Sequence, residues 1–214
     1  MSMSLAFEDN EPEIEDAIRS HKLRSHKQVL FFAAASNNSA LKGTPISFPG
    51  RMTDSVICVF SSTINGQRSY FSPEGSLHQP NFSAIGENIE AAWVTSQDNK
   101  NRLYTLSGTS CATPIVAGIA ALLLDFAKQY KKAPQRTDKD IQRLTDWERT
   151  ERYLQSLTGM TSVLRRCMTD EEHMNGNYHF LKPWKLLEYN SDEIAIRIRS
   201  AIERDLGPAR RACR

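Results

Sequence analysis

Cysteine is scarce and irregularly placed: Cys58, Cys111, Cys167 and Cys213 are the only four in 214 residues. Their spacings fit neither a disulfide framework nor a zinc site, and they are read as free thiols. Neither sign of charge dominates, since 27 Lys and Arg face 25 Asp and Glu for a net charge of +2. That balance gives no electrostatic reason to expect nucleic acid or an acidic membrane as partner. Long apolar runs are missing too: the longest, Ile115 to Leu124, has the length of a core helix rather than of a bilayer span. The first 18 residues have neither a basic start nor an uninterrupted apolar stretch, so no signal peptide is expected. With Met1 as the start, the expected location is the cytoplasm. Internal repeats and low-complexity segments are absent.

What remains is an ordinary globular composition, 40% hydrophobic and 24% charged. A chain of this size can bury roughly 70% of the surface it exposes when unfolded, enough for a core without staples. Ile14, Ala17, Ile18 and Leu23 recur at helical spacing between Glu11 and His26, behind an acidic first turn. The run Val29 to Ala35 is apolar throughout, as a strand covered on both faces of a parallel sheet must be. Further strands are expected at Ser55–Phe60, at Arg68–Phe71 after an Asn65-Gly66 turn, at Asn81–Ile85, at Ile89–Val94 and at Tyr104–Leu106. A helix from Ser110 to Tyr130 is apolar or small on every side of its first four turns, which predicts burial on all sides. Lys131 to Arg136 reads as a solvated linker. The expected division is residues 1–130 as one domain and 131–214 as linker plus a separable helical extension, with Ile194, Ile198 and Ile202 sharing one helix face.

The chemistry concentrates where that helix begins, at Ser107-Gly108-Thr109-Ser110-Cys111-Ala112-Thr113-Pro114. A serine at a helix amino terminus is exposed, has a restrained rotamer, and is surrounded by backbone N–H groups able to stabilise an oxyanion. The same placement also suits a plain helix cap. Asn37 stands just past the end of the apolar strand, where open α/β sheets place their ligand sites, and its amide can donate toward developing negative charge.

In order and spacing, Ala33-Ala34-Ala35-Ser36-Asn37, Phe48-Pro49-Gly50, Ser69-Tyr70-Phe71-Ser72 and Gly108-Thr109-Ser110-Cys111-Ala112-Thr113-Pro114 resemble the second half of a subtilisin-like serine protease domain. The resemblance runs from about Glu11 to Phe126. It implies an α/β fold, part of a doubly wound and mostly parallel sheet with a buried central helix, and the hydrolysis of peptide or protein substrates. It makes Ser110 the nucleophile and Asn37 the oxyanion-hole donor. Ala33, Ala34, Ala35, Phe48, Pro49, Gly50 and Thr109 would line the substrate site, and small walls there suit a medium or large apolar side chain. Met3-Ser4-Leu5 is similar to the family's substrate-binding strand, which adds Ser4. No cofactor is implied; calcium is common in the family, but no carboxylate cluster here is assignable to it, and no metal ligand is named.

The departures are as informative. The family's Asp-[Ser/Thr]-Gly and His-Gly-[Thr/His] elements, which carry the acid and the base, do not occur in this sequence. None of His21, His26, His78, His173 and His179 is followed by glycine. The chain therefore reads as the carboxyl-terminal half of an endopeptidase domain, inactive alone. A different class of reading, a non-catalytic remnant serving as an interaction module, draws on the same absence. A sedolisin-like peptidase shares the Gly-Thr-Ser element, but carries an acid at the oxyanion position, where Asn37 stands here.

Overall fold

The computed structural model describes residues 1–24, 29–38, 45–75, 80–92, 103–131, 147–170 and 178–206. The linker expected after Lys131, together with His26, His78, His173, Cys213 and Gly207-Pro208, which reads as the stop signal of the last helix, lies outside the described residues.

Five strands form one sheet in the order β1 (Ser2–Met3), β2 (Phe31–Ala34), β3 (Val56–Ser62), β4 (Asn81–Ile85) and β7 (Tyr178–Phe180), every neighbouring pair parallel. The register matches Phe32 with Ile57 and Val59 with Phe82. Parallel neighbours need crossovers that cover the sheet faces, and the helices supply them. One face carries α1 (Pro12–Arg24), whose Ile18 joins Met3, Phe31, Ala33, Phe48, Met52 and Val56 in one core. The other face carries α2 (Thr109–Lys131), α3 (147–154), α4 (Leu157–Met168) and α6 (Ser191–Leu206). Phe32, Ile57, Val59, Phe82 and Ala84 pack there against Val116, Leu123, Leu164 and Ile198. The result is the expected α/β fold.

The sequence expectations meet the coordinates closely in this half. The strand sought at Arg68–Phe71 shrinks to one antiparallel bridge between Ser62 and Arg68, after a turn in which Gly66 holds φ 77°. β5 (Ile89–Ala92) and β6 (Leu103–Leu106) pair as a separate antiparallel ribbon whose residues are largely exposed.

Burial of α2 on all sides is corrected. Ala112, Val116, Ile119, Ala120, Leu123 and Ala127 are buried against the sheet and the later helices. Pro114, Ile115, Gly118, Ala121 and Leu122 are exposed, Leu122 at 60%. Among the described residues, helices cover α2 from one side only, so its second apolar face has nothing to pack on. By length and apolarity the 23-residue α2 also meets the criterion for a bilayer span, which the shorter Ile115–Leu124 run does not suggest. Its packing on β2, β3 and β4 is that of a core helix.

The carboxyl-terminal segment is not a layer apart. β7 hydrogen-bonds to β4 inside the main sheet, and α3, α4 and α6 share a continuous core with α2. Trp147 donates its indole N–H to the Ala127 carbonyl at 2.9 Å and meets Phe126 edge-to-face and Tyr130 at a tilt. The spacing of Trp147, Leu154 and Leu157 predicts one helix ending at Gly159; it breaks at 155–156, where Ser156 caps a new one by accepting from the Gly159 N–H at 3.0 Å. Ile194, Ile198 and Ile202 are buried on one face of α6, as their spacing predicts. Asn177 to Leu187, with Tyr178, Phe180, Pro183 and Trp184, reads from sequence as an extended segment; its described residues are a strand only at β7 and turn into the short helix α5 (Trp184–Leu187).

Asp170, just past α4, accepts from the ammonium groups of Lys182 and Lys185 and so ties α4 to α5. These bonds hold its carboxyl down at about 2, below the ordinary 3.8. A depressed carboxylate contributes stability above its unfolded value and loses it as pH falls through the folded one. Thermal melts should therefore show wild type losing more stability than Asp170→Asn between about pH 4 and about pH 2; parallel profiles would contradict the tie.

Candidate active site

The carboxyl end of β2 and the amino end of α2 meet at one point. Asn37 accepts through Oδ1 from the Thr109 backbone N–H at 2.8 Å and from the Thr109 hydroxyl at 2.9 Å. The same hydroxyl lies 3.2 Å from the Ser36 carbonyl oxygen. With Oδ1 taken by two donors, the amide has one orientation, and its Nδ2 is left to donate. Asn37 itself is exposed while Thr109 is buried, so the lock lies beneath the surface and the free amide end at it.

The first turn of α2 can be accounted for donor by donor. The Thr109 N–H goes to Asn37, and those of Cys111 and Ala112 go to the Gly108 carbonyl at 3.0 and 3.3 Å. Among the described residues the Ser110 N–H has no partner. It and Asn37 Nδ2 are thus two unused donors at the same helix end, where the macrodipole also favours negative charge.

The hydroxyls sort in the same way. Ser107 Oγ accepts from the Asn88 N–H at 2.9 Å, Thr109 Oγ1 serves Asn37, and Thr113 Oγ1 donates to the Thr109 carbonyl at 2.7 Å. Ser110 Oγ, half-buried, is the one hydroxyl of this cluster without a hydrogen bond among the described residues. The helix start therefore leaves a free hydroxyl beside two free donors, an arrangement suited to attack on a carbonyl carbon and to holding the resulting oxyanion. The cap role falls instead to Asn37, which accepts from the first N–H of the helix.

Ser4 adjoins the site: its hydroxyl donates to the Ser110 carbonyl at 2.9 Å, joining the end of β1 to α2. The remaining substrate-site candidates lie deeper than a wall of side chains requires. Ala33, Ala34, Ala35 and Phe48 are at most 1% exposed, and Ala33 and Phe48 share the α1-side core. Pro49 and Gly50 are buried as well, Gly50 so close to β2 that a methyl group on it would stand 3.0 Å from the Ala34 carbonyl oxygen. These residues can offer backbone to a ligand, or side chains only after movement. Thr109 is likewise fully engaged in the lock.

No described histidine stands at Ser110. His21 packs edge-on against Phe31, at the start of β2 and so at the other end of that strand from Asn37. His179 lies on β7 with its ring against Phe82. Among the described residues no group of three or more His, Cys, Asp or Glu is arranged to hold a metal ion. Sequence reasoning missed the Asn37–Thr109 lock, because Thr109 reads there as a substrate contact; its only signal is a hydroxyl residue preceding the serine at a helix start.

Taken together, the parallel main sheet with helices on both faces, and Ser110 and Asn37 both at the carboxyl ends of its strands, define an open α/β protein with its candidate site where such sheets place ligands. Residues 1–163 match the sequence model of the Subtilase family, peptidase S8, and the chain belongs to that family. It is 32% identical over 123 residues to the thermostable alkaline protease of Halalkalibacterium halodurans, a match covering 58% of this chain and 30% of that protein. Alkaline protease 1 of Aspergillus flavus is 37% identical over 100 residues, covering 46% of this chain and 22% of the relative. Among solved structures, the prenylagaramide maturation protease PagA superposes on 92% of this chain with a TM-score of 0.56 at 21% identity, which shows the shared fold. The chain spans 59% of PagA and under a third of the two curated relatives.

The helix start also carries a thiol, Cys111. All three described thiols are half-buried; desolvation pushes Cys58 far up and takes Cys167 to about 11, and it raises Cys111 as well, without so large a shift. Iodoacetamide near pH 8 should modify Cys111 before Cys58 and Cys167. Peptide mapping reads the order, and earlier labelling of Cys58 or Cys167 would contradict it.

Proposed function

We propose that the chain is the carboxyl-terminal, nucleophile-bearing part of a serine endopeptidase. The observation that carries this reading is the free Ser110 hydroxyl with its own N–H and Asn37 Nδ2 both unused. In the proposed step Ser110 Oγ bonds to the carbonyl carbon of a peptide and passes its proton to a base. The carbonyl oxygen takes the negative charge, held by the two free donors. Collapse expels the amine, which takes that proton, and water then releases the acid from Ser110.

The acid and the base come, on this reading, from an amino-terminal subtilase segment that packs on the open side of this chain. Two features support that occupant. The exposed apolar face of α2 begins just over one turn past Ser110, at Pro114 and Ile115. The outer side of β1 is a sheet edge without a neighbour among the described residues, and an open edge invites pairing. A segment of this kind would also account for the about two fifths of PagA that has no counterpart in this chain.

Alone, residues 1–214 are then catalytically silent: a triad nucleophile without acid and base keeps at best roughly 10³–10⁴ over water from the oxyanion donors and binding. Fusion at Met1 to a subtilase segment carrying the Asp-[Ser/Thr]-Gly and His-Gly-[Thr/His] elements should restore peptide hydrolysis and fluorophosphonate labelling at Ser110. Ser110→Ala should abolish both. Asn37→Ala should lower turnover by about 10²–10³ with substrate binding nearly intact. Mass spectrometry of the adduct decides: labelling at Ser107 or elsewhere, or none in the fused protein, sinks the assignment and favours the non-catalytic interaction module.

A further inference from the structure

Two glycines bear on Ser110 from beneath. Gly86, just past β4, donates its N–H to the Ser62 carbonyl at 3.0 Å and accepts from the Gly108 N–H at 2.8 Å. A methyl group on Gly86 would stand 2.4 Å from Ser61 Oγ and 2.7 Å from the Gly108 carbonyl oxygen. That carbonyl is the acceptor for the Cys111 and Ala112 N–H groups, and so closes the turn in which Ser110 sits. On its other side, a methyl group on Gly108 would come within 3.0 Å of Asn37 Nδ2. Ser61, Gly86, Gly108 and Asn37 thus form a chain of close contacts with no room for a methyl group at Gly86 and little at Gly108. Neither glycine has positive φ among the described residues, so the requirement is space, not backbone conformation.

The Ser61 end of these contacts is held at three points. Ser61 is fully buried, its hydroxyl pairs with that of Ser69 at 2.7 Å, and its N–H donates to Ser72 Oγ at 3.1 Å. The Ser69 N–H returns to the Ser61 carbonyl at 3.0 Å. The Ser61 backbone is held at two of these points and its hydroxyl at the third, while the Gly108 carbonyl oxygen is a separate contact at 2.7 Å, so a methyl group on Gly86 displaces Gly108 whether or not the Ser61 hydroxyl gives way.

We infer that Gly86, seated on Ser61, is a positioning residue that sets the spacing between the Ser110 turn and the Asn37 amide. The inference rests on the reading of Ser110 as nucleophile and Asn37 as oxyanion donor. It concerns neither substrate contact nor proton transfer. Misplacement of a reacting group by about 1 Å can cost about 10²-fold in rate, and the Gly108 carbonyl must move by several tenths of an ångström to clear a methyl group.

The test uses the fused protein described above, with Gly75→Ala as a control. A methyl group on Gly75 would meet Asn81 Nδ2 at 2.5 Å, an equal crowding at the amino end of β4, opposite the site. Gly86→Ala should lower the rate of fluorophosphonate labelling and the kcat for a peptide p-nitroanilide by about 10–100-fold per folded molecule, with KM unchanged. Gly75→Ala should lower Tm and leave both rates per folded molecule as they were. Adding Ser61→Ala to Gly86→Ala removes the contact at 2.4 Å but leaves the one at 2.7 Å to Gly108. It should recover Tm without recovering the rate, and it supplies a folded variant if the single one fails to fold. Wild-type rates in Gly86→Ala, rate recovery in step with Tm in the double variant, or an equal rate loss in Gly75→Ala would each overturn the inference. Absence of labelling at Ser110 in the unsubstituted protein defeats the nucleophile reading instead. The seat is then still judged by the Asn37 side-chain amide NMR signals, which Gly86→Ala should shift and Gly75→Ala should not; unmoved signals would overturn it.

Discussion

The packing of α2 on the parallel sheet is the constraint from which the rest follows. A sheet whose neighbours are all parallel must be covered on both faces, because its strands are apolar on both sides. Phe32, Val59 and Phe82 on one face are covered by Val116, Ala120 and Leu123 of α2, and burying a Val or Leu side chain contributes about 1.5–3 kcal/mol each. That contact fixes the axis of α2 over β2, β3 and β4, and so brings its amino terminus to the carboxyl ends of the same strands. Asn37 at the end of β2 then finds Thr109 within 3 Å on two bonds. The site is a consequence of how the helix must lie, and the Asn37–Thr109 lock secures it.

The site is built by using up donors and acceptors until a few are left. Helix geometry leaves the first-turn N–H groups without intrahelical partners, and here Asn37 and Gly108 take three of them. Ser107, Thr109 and Thr113 spend their hydroxyls on neighbouring backbone and amide groups. The free groups, Ser110 Oγ, Ser110 N–H and Asn37 Nδ2, are those a carbonyl-attacking site requires. Gly86 and Ser61 hold this arrangement from the sheet side, where buried serines replace the apolar residues found earlier along β3.

The two faces of α2 differ in what the chain itself supplies. One is covered by the sheet and by α3, α4 and α6; the other exposes Ile115 and Leu122. A helix apolar all round is a statement about all its eventual neighbours, whereas burial depends on which of them are present. The carboxyl-terminal segment makes the complementary point. Its helices carry single apolar stripes and follow a polar linker, which reads as an appended layer, yet β7 enters the sheet and Trp147 and Ile198 enter the core.

Periodicity and local chemistry were enough to read most of this molecule from its residues. The apolar runs that became β2, β3 and β4, the stripe on α6, and the Gly-Thr-Ser element at the head of α2 are all short-range signals, set by side-chain pattern over a few residues. Membership in the subtilase family was legible for the same reason, since its motif is contiguous. Tertiary structure alone decided which hydroxyl stays free, that Thr109 locks Asn37 across 72 residues of sequence, that Ala33 to Ala35 turn inward, and that Gly86 sits between Ser61 and Gly108. These are contacts between segments far apart in the chain, brought together by the burial of α2 against the sheet, and no local pattern encodes a distance across such a gap.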